Sequence, residues 1–284
     1  MIIYKTITGI QQHLQKKKTE GRSIGFIPTM GALHPGHLSL IQACANSYNV
    51  TVCSIFVNPL QFNDPKDFEK YPSTIEADIL LLEKNNCDIL FLPDTKEIYP
   101  EGLNNEIQYN LGEIETVLEG KYRPGHFQGV CRVVHRLLDI IKPDQLYMGQ
   151  KDYQQCMVVR KMLELTGLSQ SVNLNICPTI RESSGLALSS RNMRLDEQQK
   201  KLATVIYESM QFIKDHLIKM PFSEIEEKVK LQLSDNGFEQ IDYVAAVNAN
   251  DLSDIKNTDV GAPVVILIAA FTGGIRLIDN MILK

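Results

Sequence analysis

The chain has 284 residues, 44% hydrophobic and 22% charged, with a formal net charge of −5. That length predicts one large and one small domain, and the composition is that of an ordinary soluble globular protein. Lysines and arginines scattered along an acidic chain speak against a nucleic-acid surface, and no apolar stretch reaches the length of a membrane span, so any anionic ligand must be held by a local site.

The first 18 residues lack an apolar h-region and end in Lys16-Lys17-Lys18, so no signal peptide is expected. A strand-like run then covers Ser23–Ile27. It leads into Pro28-Thr29-Met30-Gly31-Ala32-Leu33-His34-Pro35-Gly36-His37, the most informative segment of the chain. A helix over Leu38–Tyr48 follows, with Leu38, Leu40, Ile41 and Ala45 on one face. Two histidines three residues apart thus stand where a strand gives way to a helix N-terminus. Unpaired N–H groups and the helix dipole favour a phosphate at such an end, and imidazoles can hydrogen-bond its oxygens as charge develops.

Further strand-like runs lie at Val50–Val57, Asp88–Leu92, Gln145–Met148 and Leu174–Cys177. Helical patterns separate them at Thr74–Asn85, Val130–Ile141 and Tyr153–Thr166. This alternation implies βαβ units in an α/β fold with a doubly wound parallel sheet, binding its ligands beyond the strands' carboxyl ends. The loop at residues 58–72, rich in Pro, Asn and Asp, is a candidate lid. Gly149-Gln150-Lys151-Asp152-Tyr153-Gln154-Gln155 repeats the strand-to-helix logic. There Lys151 offers a compact charge, and Asp152 can cap the helix or bind a ribose hydroxyl. A surface lysine beside an N-cap fits equally well. Arg181-Glu182-Ser183-Ser184-Gly185-Leu186-Ala187-Leu188-Ser189-Ser190-Arg191-Asn192 supplies hydroxyls and a guanidinium suited to a polyphosphate, or simply a polar linker. His126, in Tyr122-Arg123-Pro124-Gly125-His126-Phe127, either joins the anion site or orders a turn; His13, His135 and His216 read as structural or surface residues.

After Arg194 the pattern changes to two helices, Leu195–Lys219 and Ser223–Leu233, then strands at Ile241–Val247, Val264–Phe271 and Arg276–Ile278. Such an order suggests a small α+β domain. Ser223-Glu224-Ile225-Glu226 reads as a capping box opening the second helix. The six cysteines (Cys44, Cys53, Cys87, Cys131, Cys156 and Cys177) include no CxxC pair, and four sit in apolar runs. They read as buried hydrophobes of a reducing compartment, so a cytoplasmic protein is expected. Neither GxxxxGK[ST] nor GxGxxG occurs, which excludes a P-loop NTPase and a dinucleotide fingerprint.

Taken together, PTMGALHPGHLSLI, SIFVNPLQF, EGKYRPGHFQGVCRVVHRLL, KPDQLYMGQKDYQQ and RESSGLALSSRN resemble the pantoate–β-alanine ligase family of the HIGH-motif nucleotidyltransferase superfamily, related in fold to class I aminoacyl-tRNA synthetases. The matching stretches span most of residues 23–194. HPGH stands for the HIGH motif, and LSSRN takes the place of the synthetases' KMSKS. The resemblance implies a Rossmann-like domain at residues 1–179, binding ATP and pantoate, and a smaller C-terminal α+β lid domain at 180–284.

It further implies that (R)-pantoate is adenylated by ATP with Mg²⁺, releasing pyrophosphate, and that β-alanine then displaces AMP. By position, Met30, Gly31, Ala32, Leu33, His34, Pro35, Gly36 and His37 line the ATP site. His37 is the leading candidate to stabilise charge or supply a proton. Gly149, Gln150, Lys151 and Asp152 form a second phosphate and ribose wall, with no catalytic role for Gln150. Ile180 touches adenine through its backbone, and Leu188, Ser189, Ser190 and Arg191 clamp the polyphosphate. Gln61 and Gln155 hold pantoate, with Asn58 in the pocket wall. The resemblance identifies no protein ligand for magnesium and implies a homodimer. A sister nucleotidyltransferase acting on a phosphate ester would call for extra Lys or Arg near Gln61 and Gln155. A non-catalytic nucleotide sensor would have lost one of His34, His37, Lys151 and Arg191, and all four are present.

Overall fold

A computed structural model of the protein describes residues 1–47, 50–63, 68–103, 107–255 and 262–283. These divide into two compact units, one of residues 1–149 and 154–178, the other of residues 150–153 and 179–284.

The first unit is built on strands β1 (Ile2–Tyr4), β2 (Ile24–Thr29), β3 (Val50–Ile55), β4 (Ile89–Phe91), β5 (Gln145–Gly149) and β6 (Asn173–Cys177). All pair in parallel, in the order β1-β4-β3-β2-β5-β6. Successive side chains on a strand point to opposite faces, and here both faces are apolar. Phe26, Val52, Phe91 and Leu146 join one buried cluster with residues of helices α1 (Ile7–Thr19), α4 (His126–Ile141) and α5 (Tyr153–Leu165). Ile27, Cys53, Leu90 and Tyr147 join the other, with α2 (Pro35–Ala45) and α3 (Ile75–Lys84). This is a Rossmann-like doubly wound sheet, and it explains why its strands read as nearly continuous apolar runs.

Strand order reverses at β2, which has β3 on one side and β5 on the other. β2 stays in register with β3 through Thr29 but pairs with β5 only at Gly25 and Phe26. The two strands therefore part before Pro28, whose ring removes a ladder donor. The opening lies at the carboxyl ends of the strands, where ligands bind in open α/β sheets.

The second unit holds α6 (Glu197–His216), α7 (Phe222–Asp235) and an antiparallel sheet of β7 (Gln240–Asn248), β8 (Val264–Thr272) and β9 (Ile275–Leu283). Gly273 and Gly274, both at positive φ, form the two-residue hairpin between β8 and β9.

Several elements depart from the sequence expectations. β1 and α1 are additions to them: β1 has three residues with Ile2 and Ile3 exposed, and α1 buries only Ile10 and Leu14, too few for a visible stripe. α2 starts at Pro35 and α4 at His126, ahead of their apolar stripes, because His34 and Gly125 occupy the caps. The Ser223 capping box does not form; Pro221 takes the N-cap position of α7, so Ser223 lies inside the helix. A capping box forms instead at Asp196 and Gln199, opening α6. β9 runs to Leu283, well beyond Ile278, since Asp279 and Asn280 interrupt its apolar pattern yet are buried. Tyr48, at the end of the helix expected over Leu38–Tyr48, and residues 64–67 of the expected lid lie outside the described residues. Among the described residues no helix is long and apolar enough to cross a membrane.

Candidate functional site

β2 delivers its chain end into the loop Met30–His37, and side chains capture the loop's amides almost without interruption. Thr29 Oγ1 donates to Ser54 O at 2.7 Å and accepts from Gly31 N at 3.2 Å. The Asp78 carboxylate accepts from Ala32 N at 2.9 Å and from Leu33 N at 2.8 Å. His37 Nδ1 accepts from His34 N at 3.3 Å, and His34 Nδ1 from Gly36 N at 3.1 Å. The amides of His37 and Leu38 both go to His34 O. Pro35 has no N–H, so every backbone donor from Gly31 to Leu38 has a partner within the protein.

This corrects the expectation of unpaired amides at this helix end. The histidines, with Thr29 and Asp78, cap the donors themselves. Any anion chemistry at this turn would therefore rest on the imidazoles rather than on the backbone amides. A ring whose Nδ1 accepts a backbone N–H carries its proton, when neutral, on Nε2; this tautomer is assigned from the hydrogen bonding. The pair lies ring to ring, centroids 4.0 Å apart and tilted by 42°, as two Nε2–H donors on one rigid turn.

The turn after β3 presents Gln61, and Asn58 builds it. Asn58 is 1% exposed, and its Oδ1 accepts from Leu60 N and from the Tyr99 hydroxyl. Its Nδ2 donates to Gly129 O and to Gln61 Oε1. With both donors and both lone pairs engaged, Asn58 has no group left for a ligand and serves to hold Gln61. Burial raises the Tyr99 hydroxyl well above its usual pKa, keeping it a donor. His126 Nδ1 donates to Gln61 O at 2.7 Å, so His126 orders this turn. Helix α4 approaches so closely that a Cβ on Gly129 would overlap the Leu60 carbonyl. Gln61 Nε2 lies 3.1 Å from Met30 Sδ, which joins the turn to the histidine loop. Gln155 is half-buried in the first turn of α5. A cleft of about 260 Å³ beside Met30–Ala32, bounded by Phe56, Thr74, Asp78 and Asp94, falls below the ~300–1,000 Å³ usual for ligand pockets.

In the second unit, Lys151 sits 3.7 Å from the Asp152 carboxylate. Asn280 on β9 holds this turn: its Nδ2 donates to Gln150 O and Lys151 O, and its Oδ1 accepts from Gln150 Nε2. Residues 180–192 form a short hairpin. Leu188 N donates to Ile180 O and Glu182 N to Leu186 O, while Ser189 Oγ accepts from Arg191 N and Asn192 Nδ2 donates to Ala187 O. Arg181 anchors its stem through two bonds to the Asp279 carboxylate, at 2.5 and 2.9 Å. Met30, His34, His37, Gln61 and Gln155 thus belong to the first unit, and Gln150, Lys151, Asp152, Ile180 and Leu188–Arg191 to the second.

All six cysteines are free thiols. Burial pushes Cys44 up to about 11 and Cys87 and Cys131 to about 12, so these are packing residues rather than nucleophiles. Sequence reasoning missed Asp78 and Asn280. A signal existed for the first: spacing puts Asp78 one turn from Leu82 on the helix's inward face, and a carboxylate buried there needs partners.

Residues 2–282 match the model of the family described as Pantoate-beta-alanine ligase. The chain is 44% identical over 283 residues to the pantothenate synthetase of Cytophaga hutchinsonii, covering 98% of this chain and 99% of that one. It is 40% identical over 286 residues to that of Caldicellulosiruptor bescii, covering 100% and 99%. Among solved structures, a pantoate-beta-alanine ligase from Francisella tularensis, complexed with beta-gamma ATP and beta-alanine, is similar at a TM-score of 0.81 and 38% identity, covering 99% of this chain and 97% of that one. The pantothenate synthetase of Thermus thermophilus is similar at a TM-score of 0.88 and 36% identity, covering 99% of each.

Proposed function

Because this chain belongs to the pantoate-beta-alanine ligase family, we propose that it condenses (R)-pantoate with β-alanine through a pantoyl adenylate. A pantoate carboxylate oxygen attacks the α-phosphorus of ATP, and the bond to pyrophosphate breaks. The β-alanine amine then attacks the acyl carbon, the bond to AMP breaks, and the amine loses a proton as the amide forms. A free carboxylate is a poor acyl donor until its oxygen becomes part of a good leaving group.

The observation that carries this reading is the histidine loop, with two Nε2–H donors held rigidly where the sheet order reverses. His34 and His37 donate to phosphate oxygens as negative charge grows there. Lys151 and Arg191 supply positive charge to the polyphosphate, with Ser189, Ser190 and the backbone at Leu188 as further donors. Gly149, Gln150 and Asp152 border the ribose and phosphates, and Ile180 meets adenine. Gln61 and Gln155 orient pantoate with neutral amides, which spares the attacking carboxylate an ion pair that would blunt it.

The Francisella relative's ligands support ATP and β-alanine as substrates here. Mg²⁺ would accompany ATP as part of the substrate and would counter the charge of its phosphates. Among the described residues of this chain, no group of three or more His, Cys, Asp or Glu lies together as a metal site. Its free thiols suit the cytoplasm, and the family resemblance suggests a homodimer.

The test is isotope exchange. Labelled pyrophosphate should enter ATP with pantoate present and β-alanine absent; exchange that requires β-alanine overturns the adenylate. Gln61→Ala should raise the pantoate requirement by about 1–3 kcal/mol, the loss expected when a buried hydrogen-bonding group is left unpaired. ATP affinity should hold in calorimetry, and an equal loss of both would place Gln61 elsewhere.

A further inference from the structure

We propose that Asp78 is a positioning residue for adenylation, setting the geometry of His34 and His37 by holding the two amides that precede them. The inference rests on the role proposed above for the histidines.

Asp78 lies in the first turn of α3, 1% exposed. Its Oδ2 accepts from Ala32 N at 2.9 Å, and its Oδ1 from Leu33 N at 2.8 Å and from Thr74 Oγ1 at 3.1 Å. All three of these bonds come from donors, and two are spent on consecutive amides of the loop. The Thr74 hydroxyl fixes the rotation of the carboxylate that receives them.

The loop needs that hold. Gly31 and Ala32 sit at φ +79 and +50, and the second is a conformation that residues with a side chain rarely adopt. A Cβ on Gly31 would also press within 3.1 Å of both Asp78 Oδ2 and Ile55 Cγ2. Ala32 and Leu33 are 2% and 8% exposed, so the carboxylate meets their amides away from solvent, where losing a hydrogen bond is costly.

From Leu33 the influence reaches the reacting groups through one further peptide. The next amide, His34 N, donates to His37 Nδ1, and His34 Nδ1 accepts from Gly36 N. These two bonds orient both rings and hold both protons on Nε2. Turning the 32–33 peptides would misdirect both donors at once. Gln61 is held by Asn58 and His126, and it meets the histidine loop at Met30 Sδ, ahead of the two clamped amides.

Asp78→Asn leaves one acceptor oxygen and turns an NH₂ donor toward the other amide, so one of the two bonds becomes a donor–donor clash. In this variant, amide exchange at Ala32 or Leu33 should rise roughly 100-fold. The ¹⁵N resonances of His34 and His37 should move from the Nε2–H tautomer toward a mixture. Single-turnover adenylation per folded enzyme should fall roughly 30- to 100-fold, as misplaced groups do, with the pantoate dissociation constant changed less than about threefold. Thr74→Val keeps both clamp bonds and should shift all three readouts in the same direction by smaller factors, a guard against an Asp78 variant that fails to fold. Unchanged adenylation despite open amides overturns the proposal, as does a loss matched by weaker pantoate binding or by the unfolded fraction. Amide protection and tautomers in the wild-type protein are read without turnover. If the amides are protected but pyrophosphate exchange is absent, the proposed function fails and the clamp survives; freely exchanging amides sink the clamp itself.

Discussion

The loops Met30–His37 and Arg181–Asn192 are both proposed to supply phosphate donors, and they are held in opposite ways. In the first, side chains capture successive amides, and the decisive acceptor, Asp78, stands 45 and 46 residues from the amides it holds. In the second, the loop closes mainly on itself, with backbone bonds between residues 182 and 186 and between 180 and 188. Long-range contact enters at its stem, where Arg181 grips Asp279 and lies 4.6 Å over the Tyr207 ring. A distant clamp makes a loop rigid but sensitive to a change far away in sequence. A self-closed hairpin is exposed to distant change chiefly where its stem meets Asp279 and its turn at Gly185 meets Tyr207.

The strongest way to break this comparison is to remove a proposed phosphate donor from each unit. His37→Ala and Lys151→Ala should each slow adenylation by roughly a hundred- to thousandfold, with a much smaller effect on pantoate binding. Single-turnover rates within tenfold of wild type for both would show the roles to be misassigned. Arg181→Ala comes next. It leaves the Asp279 carboxylate, whose side chain is only 5% exposed, without its guanidinium, and should destabilise the second unit by about 3 kcal/mol. Chemical denaturation should show the loss, and hydrogen exchange should place it in β9 and the hairpin. Exchange that rises instead in the 31–36 loop would mean the two loops are not independently supported. The smallest effect belongs to the residue just past the hairpin stem: Ser189→Ala removes one local cap, the 3.3 Å bond from Arg191 N, and should cost no more than about 1 kcal/mol. A loss as large as that of Arg181→Ala would show that this local cap, not the Arg181 anchor, holds the loop.

Much of this molecule was legible beforehand because the relevant signals are local. Apolar runs alternating with helical stripes gave the parallel sheet, and the spacing of His34 and His37 at a strand-to-helix junction gave the heart of the candidate site. Boundaries drifted where caps rather than stripes set them, at Pro35 and His126. The last strand was cut short for a related reason, since the partners of Asp279 and Asn280 are Arg181, Gln150 and Lys151, about 100 or more residues earlier.

Residue order alone determined the fold class, the break between the two patterns near Arg194 and the family resemblance, because periodicity and motif spacing are properties of neighbouring residues. Only the tertiary structure decided what each polar group does. It showed that the amides ahead of α2 are already capped, that Asn58 and His126 serve the Gln61 turn, and that Asp78 is buried against the histidine loop. A hydrogen bond needs its partner within about 3 Å and correctly aimed. For these residues the partner arrives from another strand, helix or turn, and only the folded chain brings it there.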